Sequence, residues 1–206
     1  MGHHHHPKHR FDPKKAERLL DPSRRGIDDA PALVQQMGIT PGMQLVDLGC
    51  GAGFFTPALL EGVGPEGSVM AVELQQEVLD FFRKHMGHHP NLNDHCADLV
   101  QTGLEAAQYD GVFIAFTLHE VTVADALLEI KRLLKPGGVL MALDWGKFAP
   151  CPQRPDGKKM GPPEDHRLLI DTLRGQLAEA GLVEVADGER VGGCQYWICA
   201  RKPEGA

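Results

Sequence analysis

Apolar runs of strand length alternate with segments of helical period along most of the chain. MQLVDLG (43–49), SVMAVEL (68–74), YDGVFIAFTL (109–118) and VLMALDW (139–145) are near-continuous apolar runs, and NLNDHCA (91–97) is a weaker one. Between them, 54–64 and 75–86 read as helices, the second with Val78, Leu79, Phe82 and Met86 on one side. The plainest helix begins at Thr122, placed as its N-cap with Asp125 complementing the dipole. Val123, Leu127, Ile130 and Leu134 form its apolar stripe, and Pro136-Gly137-Gly138 stops it. Strands that are apolar on both faces imply parallel βαβ units, with helices on each side of one sheet. Glu164 to Ala180 reads as a further helix carrying Leu168, Leu169, Leu173 and Leu177. The closing pair, 182–191 and 194–202, is joined through Gly192-Gly193, breaks the rhythm and is expected to be antiparallel.

Ahead of the first strand, 12–25 is expected to form one small amphipathic helix through Ala16, Leu19 and Leu20, and 29–37 a second. The stretch 146–163 is too rich in Pro, Gly and Lys for regular structure. The expected organisation is an N-terminal tail and lid helix over 1–28, then one domain over 29–206.

Composition narrows this little. With 206 residues, 42% hydrophobic and 24% charged, the chain has the make-up of one globular domain. No apolar run approaches the roughly 20 residues of a membrane helix, and no apolar leader is visible, so a cytoplasmic protein without a membrane role is expected. A net charge of -7 argues against a broad grip on nucleic acid. Cys50, Cys96, Cys151, Cys194 and Cys199 form no CxxC pair and read as reduced thiols, with Cys194 and Cys199 close to one another. His3 to His6 is a tag remnant or native tail to which no function is assigned, and no resident metal is expected. A monomer or homodimer is expected.

Candidate chemistry centres on Val46-Asp47-Leu48-Gly49-Cys50-Gly51-Ala52-Gly53-Phe54, between a predicted strand and a predicted helix. Glycines there permit positive φ and remove the Cβ atoms that would keep a ligand away from the backbone. A dinucleotide-binding turn requires G-x-G-x-x-G, whereas these glycines stand at 49, 51 and 53 with Phe at 54. Asp47 would repel a diphosphate and suits a ligand with a cationic amine and sulfonium. Glu73, ending the second strand, can accept both hydroxyl hydrogens of a ribose. Asp98, after the third strand, has two readings, an acceptor for an adenine amino group or a helix N-cap. Leu74 and Leu99 are placed to sandwich the ring.

Together, DLGCGAGFF, VMAVEL, CADL, YDGVFIAFTLHEV and LLEIKRLLKPGGVLMALDW resemble the class I S-adenosylmethionine-dependent methyltransferases over roughly residues 30–200. The similarity is to the small-molecule branch of ubiquinone/menaquinone C-methyltransferases. The resemblance implies a Rossmann-like α/β fold, a seven-stranded, mostly parallel sheet of order 3-2-1-4-5-7-6 with the last strand antiparallel and helices on both faces. It implies S-adenosyl-L-methionine as cofactor: Asp47, Gly49, Gly51 and Gly53 around its methionine part, Glu73 on the ribose, Asp98 with Leu99 on the adenine, and Phe116 near the amino-acid end.

In-line methyl transfer depends chiefly on alignment, and a base is required only if the acceptor must lose a proton. His119 is the candidate base, against a reading as a locally packed histidine. Glu120 and Asp144 are weaker candidates, each orienting a neighbour or simply solvated. Lys147, Arg154, Lys158, Lys159 and Arg167 give 146–163 and its flank a positive character. That stretch is either a plain loop or a lid over an anionic small-molecule acceptor. Phe11, Arg24 and Arg25 are positioned to close over the cofactor from the N-terminal side. The rival readings are an NAD-dependent oxidoreductase and a non-catalytic S-adenosylmethionine-binding regulatory partner. Arsenite or thiol methylation lacks a cysteine cluster, because Cys151 stands alone in its loop.

Overall fold

The computed structural model describes residues 12–205; the His3–His6 run and Phe11 lie outside them. Strands β1 (Gln44–Leu48), β2 (Ser68–Glu73), β3 (Leu92–Cys96), β4 (Tyr109–Ala115), β5 (Leu134–Trp145), β6 (Val183–Arg190) and β7 (Gln195–Arg201) form one sheet. Their order is β3-β2-β1-β4-β5-β7-β6, as the resemblance implied. Pairing is parallel from β3 through β5, and β7 runs antiparallel to both β5 and β6. The helices are α1 (Ala30–Gln36), α2 (Thr56–Val63), α3 (Gln76–Met86), α4 (Val123–Leu133) and α5 (Ile170–Glu179).

Strand alternation sorts the core into two layers. On one face Val46, Leu48, Val112 and Ile114 pack with Leu127 and Ile130 of α4 and Leu173 and Leu177 of α5. On the other, Leu45, Phe113, Met141 and Leu143 pack with Leu33 and Val34 of α1 and Leu59 and Val63 of α2. Because successive strand residues point to opposite sides, Asp47 shares the face of Leu45 and is directed at α2.

Several local expectations are corrected. The N-terminal segment is not one α-helix: it forms two 3-10 helices, Pro13–Leu20 and Pro22–Arg24. Pro22 holds Asp21 in an extended conformation (ψ 112°), and Asp21 then caps the second segment through Ser23. Thr122 stands at the N-cap of α4 with extended backbone, but its side chain makes no capping bond. Ladder pairing in β5 begins at Leu134, ahead of the Pro-Gly-Gly stop, with an irregularity in its register against β4.

The helix expected from Glu164 is reduced to one 3-10 turn, Glu164–His166, before α5 starts at Ile170. The Arg167 guanidinium donates to the carbonyls of Pro162 and Met160, and the Tyr196 hydroxyl donates to Leu168 O at 2.8 Å. These tertiary bonds hold 167–169 extended. Leu168 is consequently buried while Leu169 is 47% exposed, which breaks the expected stripe.

The largest correction concerns the cysteines. Cys151 and Cys194, separated by 43 positions, form a disulfide. Cys151 does not stand alone: folding brings the irregular segment after β5 against the turn before β7. Cys194 is thus paired with Cys151, and Cys199 instead directs its thiol to the Met37 carbonyl. Cys50, Cys96 and Cys199 are free.

Candidate active site

The carboxyl ends of the central parallel strands surround one cavity of about 440 Å³. Parallel strands all present this end to the same side, and the order β3-β2-β1-β4 strings their tips in a row about 14 Å long at ordinary strand spacing. Asp98 and Leu99 line the cavity after β3, Glu73 and Leu74 at β2, Asp47, Gly49 and Gly51 at β1, and Phe116 and His119 at β4.

The glycine loop leans on β2, where Gly49 and Cys50 both donate to Val72 O at 2.8 and 3.0 Å. Gly49 has φ +72° and Gly51 φ +55°, conformations in which a side chain would be strained. A Cβ at Gly49 would lie 2.8 Å from the Thr117 side chain, and one at Gly51 would lie 3.3 Å from Leu19. Gly53 stands apart from the other two. It does not line the cavity, and a Cβ there would lie 3.0 Å from the Phe82 ring of α3, so its smallness serves packing behind the loop.

Asp47 is buried and accepts a 2.8 Å bond from Thr56 Oγ1 at the start of α2. Burial raises its pKa to about 7, with the Thr56 bond opposing and nearby Glu73 adding to the rise. Glu73 accepts from the backbone N–H groups of Gly51 at 3.2 Å and Gln75 at 2.9 Å. Its pKa also rises through burial, against the pull of those backbone bonds. Asp98 accepts from Val100 N at 3.1 Å in a tight turn, and no helix follows it, so the N-cap reading is not met; the residue faces the cavity.

Phe116 follows β4 with φ +55°, rare for a non-glycine residue. Its N–H donates to Leu143 O at 2.7 Å and its ring lies 4.6 Å from that of Trp145. The turn then presents His119, whose Nδ1 lies 2.7 Å from Asp144 Oδ1, while the His119 N–H donates to Asp144 Oδ2 at 3.2 Å. Asp144 is fully buried, not solvated. Burial disfavours a charged imidazole, but Asp144 and then Glu120 outweigh it and the His119 pKa is raised from 6.5. The 3.8 Å approach of Glu120 Oε1 to Nε2 completes an acid–imidazole–acid series at the cavity wall.

From the N-terminal side, Leu19 and Arg25 line the cavity; nothing from 146–163 does. Three charges of that segment and its flank are engaged elsewhere: Arg154 pairs with Asp156 at 3.0 Å, Lys159 donates to Ala149 O, and Arg167 to Gly146 and Lys147 carbonyls. Sequence reasoning missed Thr56, Thr117 and Leu19. Thr56 had a signal, a hydroxyl at a helix start directly after a glycine loop that follows a strand acid; Thr117 and Leu19 are defined only by what folds over the glycines.

Residues 46–142 match a family model described as a methyltransferase domain. A demethylmenaquinone methyltransferase of Staphylococcus aureus is 31% identical over 113 residues, covering 54% of this chain and 47% of that relative. The chain spans about half the length of the curated relatives it matches. The structure of phosphoethanolamine N-methyltransferase 2 of Haemonchus contortus, solved in complex with S-adenosyl-L-methionine, shares the fold at 14% identity and TM-score 0.69, over 84% of this chain and 52% of that one. A SAM-dependent methyltransferase from Aquifex aeolicus superimposes with TM-score 0.80 at 30% identity, over 93% of this chain and 99% of that one. With sequence and fold agreeing over essentially the whole of that relative, the chain belongs to the class I S-adenosylmethionine-dependent methyltransferases.

Proposed function

We propose that this chain transfers a methyl group from S-adenosylmethionine to a small-molecule acceptor. The observation that carries the reading is one continuous cavity presenting Asp98, Glu73, Asp47 and His119 in strand order. The residues fit the cofactor: Gly49 and Gly51 leave a backbone cradle that a Cβ would fill, with the buried Asp47 carboxyl and the half-buried Glu73 carboxyl on either side of it. In this reading Asp98 receives the adenine amino group and Leu74 and Leu99 enclose the ring. Glu73 takes the ribose hydroxyls, and Asp47 and the Phe116 turn hold the methionine end. Gly53 supports the loop from behind through Phe82.

The bound sulfonium supplies an electrophilic methyl group for in-line transfer. The protein aligns the acceptor and, where the acceptor must lose a proton, His119 Nε2 accepts it while Asp144 fixes the ring through Nδ1. The 3-10 segment over 13–20 covers the glycine loop through Leu19, giving the lid role to the N-terminal side and not to 146–163. Similarity to a quinone methyltransferase favours a flat, conjugated acceptor. Among the described residues no helix is long and apolar enough to cross a membrane. A cytoplasmic setting is retained in this reading, and the Cys151–Cys194 bridge weighs against it, since reducing compartments keep thiols reduced.

An NAD-dependent oxidoreductase is disfavoured by buried Asp47 beside the loop that would have to hold a diphosphate. Calorimetry with S-adenosylmethionine decides the cofactor assignment: Glu73→Ala should weaken binding roughly 10- to 100-fold, as expected for hydrogen bonds to a charged group. Unchanged affinity in that variant would remove the ribose assignment. A labelled-methyl screen over metabolite extracts then identifies the acceptor.

A further inference from the structure

The segment 146–163 does not line the cavity, yet it backs two walls that do. Gly161 lies against the Trp145 ring with no room for a Cβ, and that ring lies 4.6 Å from the ring of Phe116 at the cavity wall. Met160 abuts Gly26, the chain neighbour of Arg25, which lines the cavity from the N-terminal side. Trp145, Cys151, Met160 and Cys194 are buried in one cluster, and Phe116 packs against it. The segment itself contains no helix and no strand, only an isolated bridge between Gln153 and Lys159. Its seating therefore rests on side chains, with the Cys151–Cys194 bond as the one covalent tie.

The sulfur pair is placed to open and close. Arg167 Nη1 lies 3.0 Å from Cys151 Sγ and 4.0 Å from Cys194 Sγ, so one cation faces both sulfurs and favours a thiolate once the bond opens. Cys151 is buried, but Ala149, Pro150, Pro152 and Gln153 around it are exposed. Lifting an irregular stretch thus uncovers the bond without disturbing the sheet. A disulfide in a reducing compartment is characteristically transient and serves catalysis or sensing. Neither cysteine lines the cavity, which leaves sensing. Resting on the cofactor reading above, we propose that Cys151 and Cys194 form a redox switch on the methyl-transfer cavity. Joined, they seat the segment behind Phe116 and the N-terminal wall; as a dithiol they release it. Opening is an exchange with an external dithiol, whose thiolate attacks one sulfur and whose second thiol then displaces the mixed disulfide. Two electrons and two protons pass to the protein, leaving two cysteine thiols and the dithiol oxidised to its disulfide. Closing is the same exchange with glutathione disulfide, which leaves as two glutathione thiols.

The test compares wild-type protein oxidised and after treatment with dithiothreitol, counting free thiols by alkylation and mass: three in the first state and five in the second. Reduction should weaken S-adenosylhomocysteine binding in calorimetry roughly 5- to 100-fold, the usual range of coupling between distinct sites. Glutathione disulfide should restore it, and far-UV circular dichroism well below the melting temperature should be the same in both states. By linkage, saturating S-adenosylhomocysteine should shift the thiol–disulfide balance against glutathione toward the disulfide by the same factor. A Cys151→Ser/Cys194→Ser variant should bind like the reduced protein and ignore both reagents. Equal affinity in the two thiol states would overturn the proposal. So would a bond that dithiothreitol opens only when the sheet unfolds, the behaviour of a purely structural disulfide. The wild-type comparison needs no variant to fold. Failure of both states to bind S-adenosylhomocysteine would overturn the cofactor reading along with this one, a pattern distinct from equal binding in the two.

Discussion

Two ionisable residues carry the sharpest consequences. Asp47 has its pKa raised to about 7 by burial, whereas an ammonium group beside it would favour the carboxylate. Ligand binding should therefore release a proton from Asp47. Affinity for S-adenosylhomocysteine accordingly rises with pH up to about 7 and then levels off, because below that value binding must first deprotonate the acid. Calorimetry in buffers of different ionisation enthalpy reads the released proton directly. His119 gives a pH dependence of the same sign in kcat: its pKa is raised from 6.5, so the neutral base accumulates only above that value, and kcat should climb on a limb lying above pH 6.5. Asp144→Asn should move the limb to lower pH and reduce kcat by roughly 10²-fold or more, the scale of a mispositioned general base. If the limb stays in place in the variant, His119 is not the titrating group. The existence of both residues was legible in the sequence, since DLGCGAG and FTLHEV lie at strand tips. Their partners were not. Nothing in the local sequence says that residue 144 rather than 120 would seat the imidazole, because that pairing depends on β4 and β5 being neighbours.

At the scale of elements, the segment after β5 is tied down at both ends of its path. Arg167 donates to Cys151 Sγ at 3.0 Å and stacks over Trp145 and Phe148, and the Cys151–Cys194 bond joins the segment to the approach to β7. Its Met160 also abuts Gly26 of the N-terminal segment. A loop closed over 43 positions restricts the unfolded chain enough to contribute about 4 kcal/mol in the chain-entropy account. Reduction by a phosphine should lower the melting temperature by several degrees, and a Cys151→Ser/Cys194→Ser double variant should melt alike with or without reductant. No change on reduction would mean that Arg167 and the aromatic packing hold the segment without the bond. The helix Glu164–Ala180 illustrates why elements were harder to read than residues. Its apolar spacing is helical, but Pro162 and Met160 carbonyls need donors and Arg167 supplies them only when 167–169 is extended.

For the whole molecule, the site is closed by parts distant in sequence: Leu19 and Arg25 from the start, the loops of β1 to β4, and Gln195 of β7 gripping the Arg25 carbonyl. Ligand binding should accordingly order the N-terminal segment together with the glycine loop. Hydrogen exchange with S-adenosylhomocysteine at about 100 times its dissociation constant should slow over 13–25 as well as 49–53, with a global stabilisation of about 2.7 kcal/mol. Protection confined to 49–53 would show that the segment is not part of the site.

The parallel strand–helix units and the place of the glycine turn follow from features local enough to read along the chain, and the strand order from the family resemblance. Alternating apolar runs and helical periods require parallel units, glycines at 49, 51 and 53 require an open turn, and the motif blocks name the family. What the tertiary structure decided is which groups meet: Asp47 with Thr56, His119 with Asp144, Cys151 with Cys194, and Arg25 over Phe54 and Phe116. Periodicity is a property of neighbours in sequence, whereas a cation over aromatic rings or a disulfide across 43 positions is a property of neighbours in space.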